Sequence, residues 1–270
     1  MQLALSEYIE RVRKANPLVH HITNYVTVND CANMTLAIGA SPVMADDPAE
    51  AADMTGISSA LVVNIGTLNS RTVESMCLAG TRANEKGIPL IFDPVGCGAV
   101  PFRMQAARKI LKSAKMSVIR GNVSEIGALC GMDVHTRGVD ADMAGVPGDA
   151  ASLVPEAARK LGCVVAATGA VDIISDGART FAVQNGCSAM ARITGSGCMC
   201  TSLVGSFTAA SPDHLLEATV AGIVCMGLCG EIAWKEAGAK GLGSFHIALL
   251  DAAGEMNGET LEKGARYHEL

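Results

Sequence analysis

Aromatic side chains are scarce in this chain: one Trp, three Tyr and five Phe make up 3% of 270 residues. Nucleic-acid binders stack bases on aromatic faces and draw in phosphate with basic tracts. Both resources are missing, because the net charge is −6 and Lys and Arg form no long run. Apolar runs of about 18 residues without a charge or a Gly/Pro break, the signature of a membrane helix, are missing too. Met1 to Asn16 carries charges throughout, which does not fit a secretory leader, and His268-Glu269-Leu270 falls short of a full ER-retention motif. The expectation is a cytoplasmic protein with no nucleic-acid and no membrane partner. Ten cysteines are present, but they are dispersed among apolar neighbours (Cys31, Cys77, Cys130, Cys163, Cys225). Neither Cys198-Met199-Cys200 nor Cys225…Cys229 has the paired spacing of a structural zinc site. They read as thiols of a reducing compartment, mostly inert.

What remains is ample material for a core, since 49% of residues are hydrophobic. With so few aromatics, that core is built from Ala, Val, Ile, Leu and Met. Short apolar runs read as strands at Leu18 to Ile22, Ser41 to Met44, Ala60 to Ile65, Pro89 to Asp93, Ser117 to Arg120 and Cys163 to Ala167. Helical patterns separate them at Val28 to Ile38, Pro48 to Met54, Ser70 to Lys86, Phe102 to Lys112 and Glu156 to Leu161. Strands apolar on both faces and alternating with helices predict a parallel sheet between helical layers, an α/β fold of three α/β/α layers. Asp172 to Ser175 and Thr180 to Val183 flank Asp176-Gly177, a hairpin signal that adds an antiparallel edge. Gly- and Asp-rich Met132 to Asp149 reads as a surface loop. Long helices are expected around Ser202 to Ala210, Leu215 to Ala237 and Phe245 to Met256, and a frayed polar tail from Glu259 to Leu270. No linker, repeat or shift in composition divides the chain, so residues 1–270 are expected to form one domain.

In an open parallel sheet, ligands bind beyond the carboxyl ends of the strands. Polar groups gather there: Asn24 after the first strand, Met44 and Asp46 after the second, Asn64 and Gly66 after the third, Asp93 ending the fourth. Arg120, Asn122 and Glu125 follow the fifth, and Thr168-Gly169 the sixth. Taken singly, each reads as a turn former or helix cap. The stretch Thr194-Gly195-Ser196-Gly197-Cys198-Met199-Cys200-Thr201-Ser202 adds a glycine loop that opens a helix, a natural seat for an anion. It also delivers the thiol of Cys198 to an electropositive spot where thiolate is favoured. A cation, a carboxylate pair and an anion nest on one rim suit phosphoryl transfer from a magnesium nucleotide. Neither a Walker A motif nor a Gly-x-Gly-x-x-Gly after the first strand is present, which disfavours the ordinary P-loop and dinucleotide folds.

Val19-His20-His21-Ile22-Thr23-Asn24, Gly39 to Met44, Asn64-Ile65-Gly66-Thr67-Leu68, Asp93-Pro94-Val95-Gly96, Ile119-Arg120-Gly121-Asn122, the Gly195 loop and Lys240 to Phe245 together resemble the hydroxyethylthiazole kinase family. The resemblance spans about Leu18 to Leu250. It implies a ribokinase-like fold and phosphorylation of the alcohol of 4-methyl-5-(2-hydroxyethyl)thiazole by ATP with Mg²⁺, in thiamine biosynthesis and salvage. It also implies a homotrimer with active sites between subunits. By position, Arg120, Thr168 and Asn24 resemble the family's nucleotide contacts, and Asp93 and Glu125 its holders of hydrated Mg²⁺. Met44, Gly195 and Gly66 resemble the thiazole contacts. Ser196 departs from the Ala or Thr that the family often carries. Related kinases of the fold place Asp where Cys198 stands. An ordinary thiol is only about 3% ionised at pH 7, so Cys198 is expected to orient the hydroxyl and accept its proton modestly. The alternatives within the fold are a hydrate dehydratase and a pyrimidine or pyridoxal kinase. Outside enzymes, the alternative is a non-catalytic nucleotide-binding protein.

Overall fold

The computed structural model describes residues 3–131 and 147–270. Along the chain run α1 (Leu5–Ala15), β1 (Leu18–Ile22), α2 (Val28–Ile38), β2 (Ser41–Met44), α3 (Ala51–Ile57), β3 (Ala60–Asn64), α4 (Ser70–Lys86) and β4 (Leu90–Asp93). Next come α5 (Pro101–Ser113), β5 (Val118–Asn122), α6 (Val123–Leu129), α7 (Pro147–Leu161), β6 (Val164–Thr168), β7 (Asp172–Ser175) and β8 (Thr180–Val183). The chain closes with α8 (Ser196–Ala209), α9 (Leu215–Ala237), α10 (Leu242–Glu255), α11 (Gly258–Gly264) and β9 (Tyr267–Glu269).

The strands form one sheet in the order β2-β1-β3-β4-β5-β6-β7-β8-β9. The pairs from β2 to β6 are parallel, and the three pairs from β6 to β9 are antiparallel. The expected mostly parallel sheet with an antiparallel edge is therefore present. Because side chains alternate along a strand, each strand serves two helical layers. Val19, Val62, Ile91, Val118 and Ala166 join one core with residues of α1, α2, α8, α9 and α10. Ile22, Leu61, Val63, Phe92, Ile119 and Val165 join the other with residues of α4, α5 and α7. The two consecutive histidines follow the same rule. His20 meets Thr55 of α3 on one face and His21 meets Thr35 of α2 on the other. Burial holds His21 neutral, its pKa pushed down to about 3.

Three expectations need correction. The tail is not frayed: β9 pairs with β8, Leu270 N–H reaches the Thr180 carbonyl at 2.9 Å, and the Tyr267 hydroxyl bonds main-chain groups of Leu3. A polar segment can be tied down by edge-strand hydrogen bonds that its composition does not announce. Helix α3 begins later than expected because Asp47 folds the preceding residues into a turn, accepting from Ala49 N–H at 2.9 Å. Helix α7 begins at Pro147, within the stretch read as loop, whose remainder 132–146 lies outside the described residues. Helix α9 has the length and composition of a bilayer-crossing helix, but Gly222, Gly227 and Gly230 break its apolar run, in line with the sequence reading. Most of it is buried in the core, packed against α8 and α10.

Candidate active site

The sheet order reverses between β1 and β3: the chain leaves β1 outward to β2 and returns to β3 on its other side. At such a switch point the loops diverge and leave a crevice beyond the strand ends. Side-chain parity then decides what faces it. Asn64, Asp93, Arg120 and Thr168 share parity with Val62, Ile91, Val118 and Ala166, so all four point to the layer holding α8. Register sets Asn64 level with Asp93, while Thr168 pairs with Asn122 and so lies two residues further along the same face than Arg120, which pairs with Ala166. Four strands far apart in sequence thus contribute polar ends to one place.

These ends are wired together. Asn24 Nδ2 donates to Asn64 Oδ1 at 3.0 Å, across the switch point. Asn64 Nδ2 donates to Asp93 Oδ2 at 2.9 Å, and the Thr201 hydroxyl of α8 donates to the same oxygen at 2.7 Å. Arg120 Nη2 donates to Thr168 Oγ1 at 2.5 Å, and Arg120 Nη1 stands 3.9 Å from Asp93 Oδ2. Cys198, on the first turn of α8, receives amide hydrogens of Asn24 and Asn64 at 3.3 and 3.2 Å.

The glycine loop has the expected geometry. Gly195 sits at φ +86° as the residue before α8, where a Cβ would come within 2.8 Å of Thr27 Cγ2. A Cβ on Gly197 would strike Arg120 Nη1 at 2.7 Å, so that glycine lets the guanidinium lie against the helix. The first helical bond of α8 runs from Met199 N–H to the Gly195 carbonyl. The amides of Ser196, Gly197 and Cys198 precede the ladder and are free to face an anion.

The thiol does not behave as expected. Burial and the Asp93 carboxylate push the Cys198 pKa up, and the hydrogen bonds from Thr27, Asn24 and Asn64 only partly offset them. Thiolate is therefore disfavoured in the protein alone, since burial and the neighbouring carboxylate outweigh the hydrogen bonds. Cys200 lies fully buried on the other side of the same turn and its pKa is pushed up to about 12, consistent with packing rather than chemistry.

Asp93 and Glu125 are both buried, and burial raises both pKa values; the charge of Asp93 raises that of Glu125 further. Glu125 closes a capping box at the start of α6, with Oε2 accepting Asn122 N–H at 2.8 Å, while Oε1 accepts Gly96 N–H at 2.7 Å. Asp93 Oδ1 is buried with no hydrogen-bond partner. An orphaned carboxylate oxygen near a second carboxylate fits a hydrated divalent cation, which takes one or two carboxylates and keeps its waters. Among the described residues, no cluster of three or more His, Cys, Asp or Glu side chains could hold a metal without such help.

The structure thus brings together Asn24, Asp93, Arg120, Thr168, Cys198 and the Gly195 loop. Gly66 joins them, its N–H donating to Asn64 Oδ1 at 2.8 Å and its Cα lying against Asn24. Met44 stands apart, half-buried at the end of edge strand β2. Three further residues belong to the site without having been assigned a part in it. Asn64 and Thr201 bind Asp93, and Asp172 accepts Gly169 N–H at 2.9 Å beside Thr168. Parity with Val62 could have singled out Asn64; Thr201 and Asp172 left no sequence signal.

The profile of the Hydroxyethylthiazole kinase family matches residues 9–259. A hydroxyethylthiazole kinase of Ruminiclostridium cellulolyticum is 55% identical over 267 residues, covering 98% of this chain and 97% of that protein. The solved hydroxyethylthiazole kinase of Pyrococcus horikoshii is 42% identical, with a TM-score of 0.89 over 98% of both chains. A ribokinase-like protein of Enterococcus faecalis shares the fold alone, at 12% identity and a TM-score of 0.62 over 93% of both chains. The fold is ribokinase-like, and the chain belongs to the hydroxyethylthiazole kinase family, which makes it an enzyme that transfers phosphate to an alcohol.

Proposed function

We propose that this protein phosphorylates the hydroxyl of 4-methyl-5-(2-hydroxyethyl)thiazole with ATP, in thiamine biosynthesis and salvage. The observation that carries the reading is the continuous chain of contacts from Asn24 through Cys198, Asn64 and Asp93 to Thr201, closed on its far side by Arg120 and Thr168. The nucleotide phosphates lie against Arg120, Thr168 and Asn24, where the planar guanidinium suits phosphate oxygens. The free amides before Met199 receive the transferring phosphoryl group, fixed dipoles that need no reorganisation as charge shifts. Asp93 and Glu125 hold hydrated Mg²⁺, which when bound neutralises charge on the phosphates. Gly195, Gly66 and Met44 contact the thiazole.

Cys198 orients the alcohol mainly as the neutral thiol, and only its small thiolate fraction accepts the proton, a modest contribution. In a loose phosphoryl-transfer transition state that proton leaves late, so alignment counts for more than basicity. A protonated thiol between two amide donors is well placed for alignment. The active unit in this reading is a homotrimer with the thiazole site shared between subunits, consistent with Met44 lying at the sheet edge and with Tyr25 and Val26 exposed beside Asn24. Incubation of the purified protein with Mg-ATP and, separately, the thiazole alcohol, hydroxymethylpyrimidine and pyridoxal tests the reading. ADP and a phosphorylated product are expected with the thiazole alcohol. Turnover of either other alcohol in preference would move the protein elsewhere in the fold family, and tight ATP binding without product from any alcohol would make it a nucleotide binder.

A further inference from the structure

We propose that Arg103 is a positioning residue that ties the loop carrying Gly66 to the loop carrying Gly96, so that the alcohol and the Glu125 carboxylate are held in one arrangement. This rests on the reading of the site as a thiazole-alcohol kinase. The rungs between β3 and β4 end where Ile65 N–H donates to the Asp93 carbonyl at 3.2 Å. Past that point the two chains part to form the rim, and their carbonyls lie beyond the ladder. Arg103, in the first turn of α5, fills this gap. Its Nη1 donates to the carbonyls of Ile65 and Val95 at 2.7 and 2.8 Å, and its Nη2 to the carbonyl of Gly66 at 2.8 Å. Each of the three bonds goes to main chain, so the side chain serves as a strap between loops. Its stem crosses over Gly96, where a Cβ would lie 3.6 Å from Arg103 Cδ.

What the strap holds is chemically specific. Gly66 N–H orients Asn64 through its Oδ1, and Asn64 in turn binds both Asp93 and Cys198. Gly96 N–H orients Glu125 through its Oε1. The guanidinium therefore contacts the main chain at or next to the two amides that set these groups. A planar fork serves three carbonyls of two loops from two separate nitrogens, whereas an ammonium must present all its donors from one nitrogen on a shorter stem. Loosening the strap should disturb the alcohol and the metal together and leave most nucleotide affinity in place, because Arg120 and Thr168 come from β5 and β6 and Asn24 is also anchored by Thr27.

The test compares Arg103→Lys and Arg103→Ala with wild type and with Arg71→Ala, a control that removes only an exposed ion pair to Asp46 and Asp47. Hydrogen exchange is read on peptides covering residues 65–68 and 95–99. Steady-state kinetics supply KM for the thiazole alcohol and half-saturation by Mg²⁺, and calorimetry supplies ADP affinity without metal. Loss of the bonds that the guanidinium fork makes to the three carbonyls predicts about tenfold weaker protection in both segments and about tenfold higher KM and Mg²⁺ half-saturation in both variants. ADP affinity should stay within about twofold, because Arg103 bonds neither Arg120 nor Thr168 and Arg103→Lys keeps the charge. The strap is disproved if Arg103→Lys matches wild type, if only one segment loosens, if ADP affinity falls as far as the alcohol's, or if both variants lose the fold altogether. Should wild type phosphorylate no alcohol, the functional reading fails, while the exchange data still judge the strap.

Discussion

Cys198 sits where two asparagine amides donate to its sulfur and a carboxylate stands behind them, and these neighbours dictate how it responds to substitution. Cys198→Ala keeps the amide nest and the Arg120–Thr168 pair but loses alignment and the proton acceptor, so kcat should fall about 10- to 100-fold, at or below the low end of general-base contributions. Cys198→Asp gives the two amides a better acceptor and should hold or raise kcat. Because burial and Asp93 raise the thiol pKa, any share of catalysis carried by thiolate grows toward alkaline pH. A pH–rate profile of the wild type should therefore still be rising above about pH 9, and the Asp variant should lose that limb. Complete inactivity of the Ala variant with ATP binding intact would refute the modest role.

Asp172 offers a second test at this scale. Burial raises its pKa to about 7, against the pull of Gly169 N–H and Arg120. The folded protein thus keeps a proton that the unfolded chain gives up near pH 4, and stability falls as pH climbs between the two values, by about 1.4 kcal/mol for each pH unit. Asp172→Asn retains an acceptor for Gly169 and removes the titration. In urea denaturation of the ligand-free protein, the variant should gain on wild type between about pH 4 and about pH 7 and level off above it. An unchanging gap would mean that Asp172 titrates normally.

Among the elements, α8 carries the most constraint, because it must lie low enough on the sheet for Thr201 to reach Asp93. Gly205 permits that approach: a Cβ there would meet Val62 Cγ2 at 2.5 Å. On its far side α9 also comes close, where a Cβ on Gly222 would lie 3.2 Å from the main chain of Val204. Gly205→Ala should cost about 1–3 kcal/mol, the usual penalty of overpacking. Gly254→Ala, at a helical glycine with nothing near a would-be Cβ, should instead gain up to about 1 kcal/mol. Thermal melts of the two variants side by side separate packing from propensity. Equal shifts in both would show that α8 has room to move off the sheet.

On the scale of the whole molecule, one sheet carries polar ends from five of its six parallel strands to one rim, and the antiparallel strands β7 to β9 complete its far edge. Tyr25 is 79% exposed and Val26 55%, on the turn directly after Asn24. In the proposed trimer these side chains lie between subunits near the thiazole. Val26→Asp should then lower the solution mass from trimer to monomer in sedimentation and raise KM for the alcohol together with it. A wild-type protein that sediments as a monomer and is fully active would refute the shared site.

The local elements were legible in the amino-acid order because short β-branched runs, Gly and Asn at element ends, and apolar periodicity are near-neighbour properties. Val28–Ile38, Ser70–Lys86 and Leu215–Ala237 were bounded correctly from pattern alone. The rim was legible as well, since a parallel sheet must present its carboxyl ends on one edge. Three things were decided only by tertiary packing. Polar Tyr267–Glu269 became a strand because β8 had an open edge. The Cys198 thiol became hard to ionise because burial and Asp93 outweigh its hydrogen bonds, a balance that depends on distance and dielectric. Thr201 and Arg103 acquired partners 108 and 38 positions away, and only the folded chain could choose them.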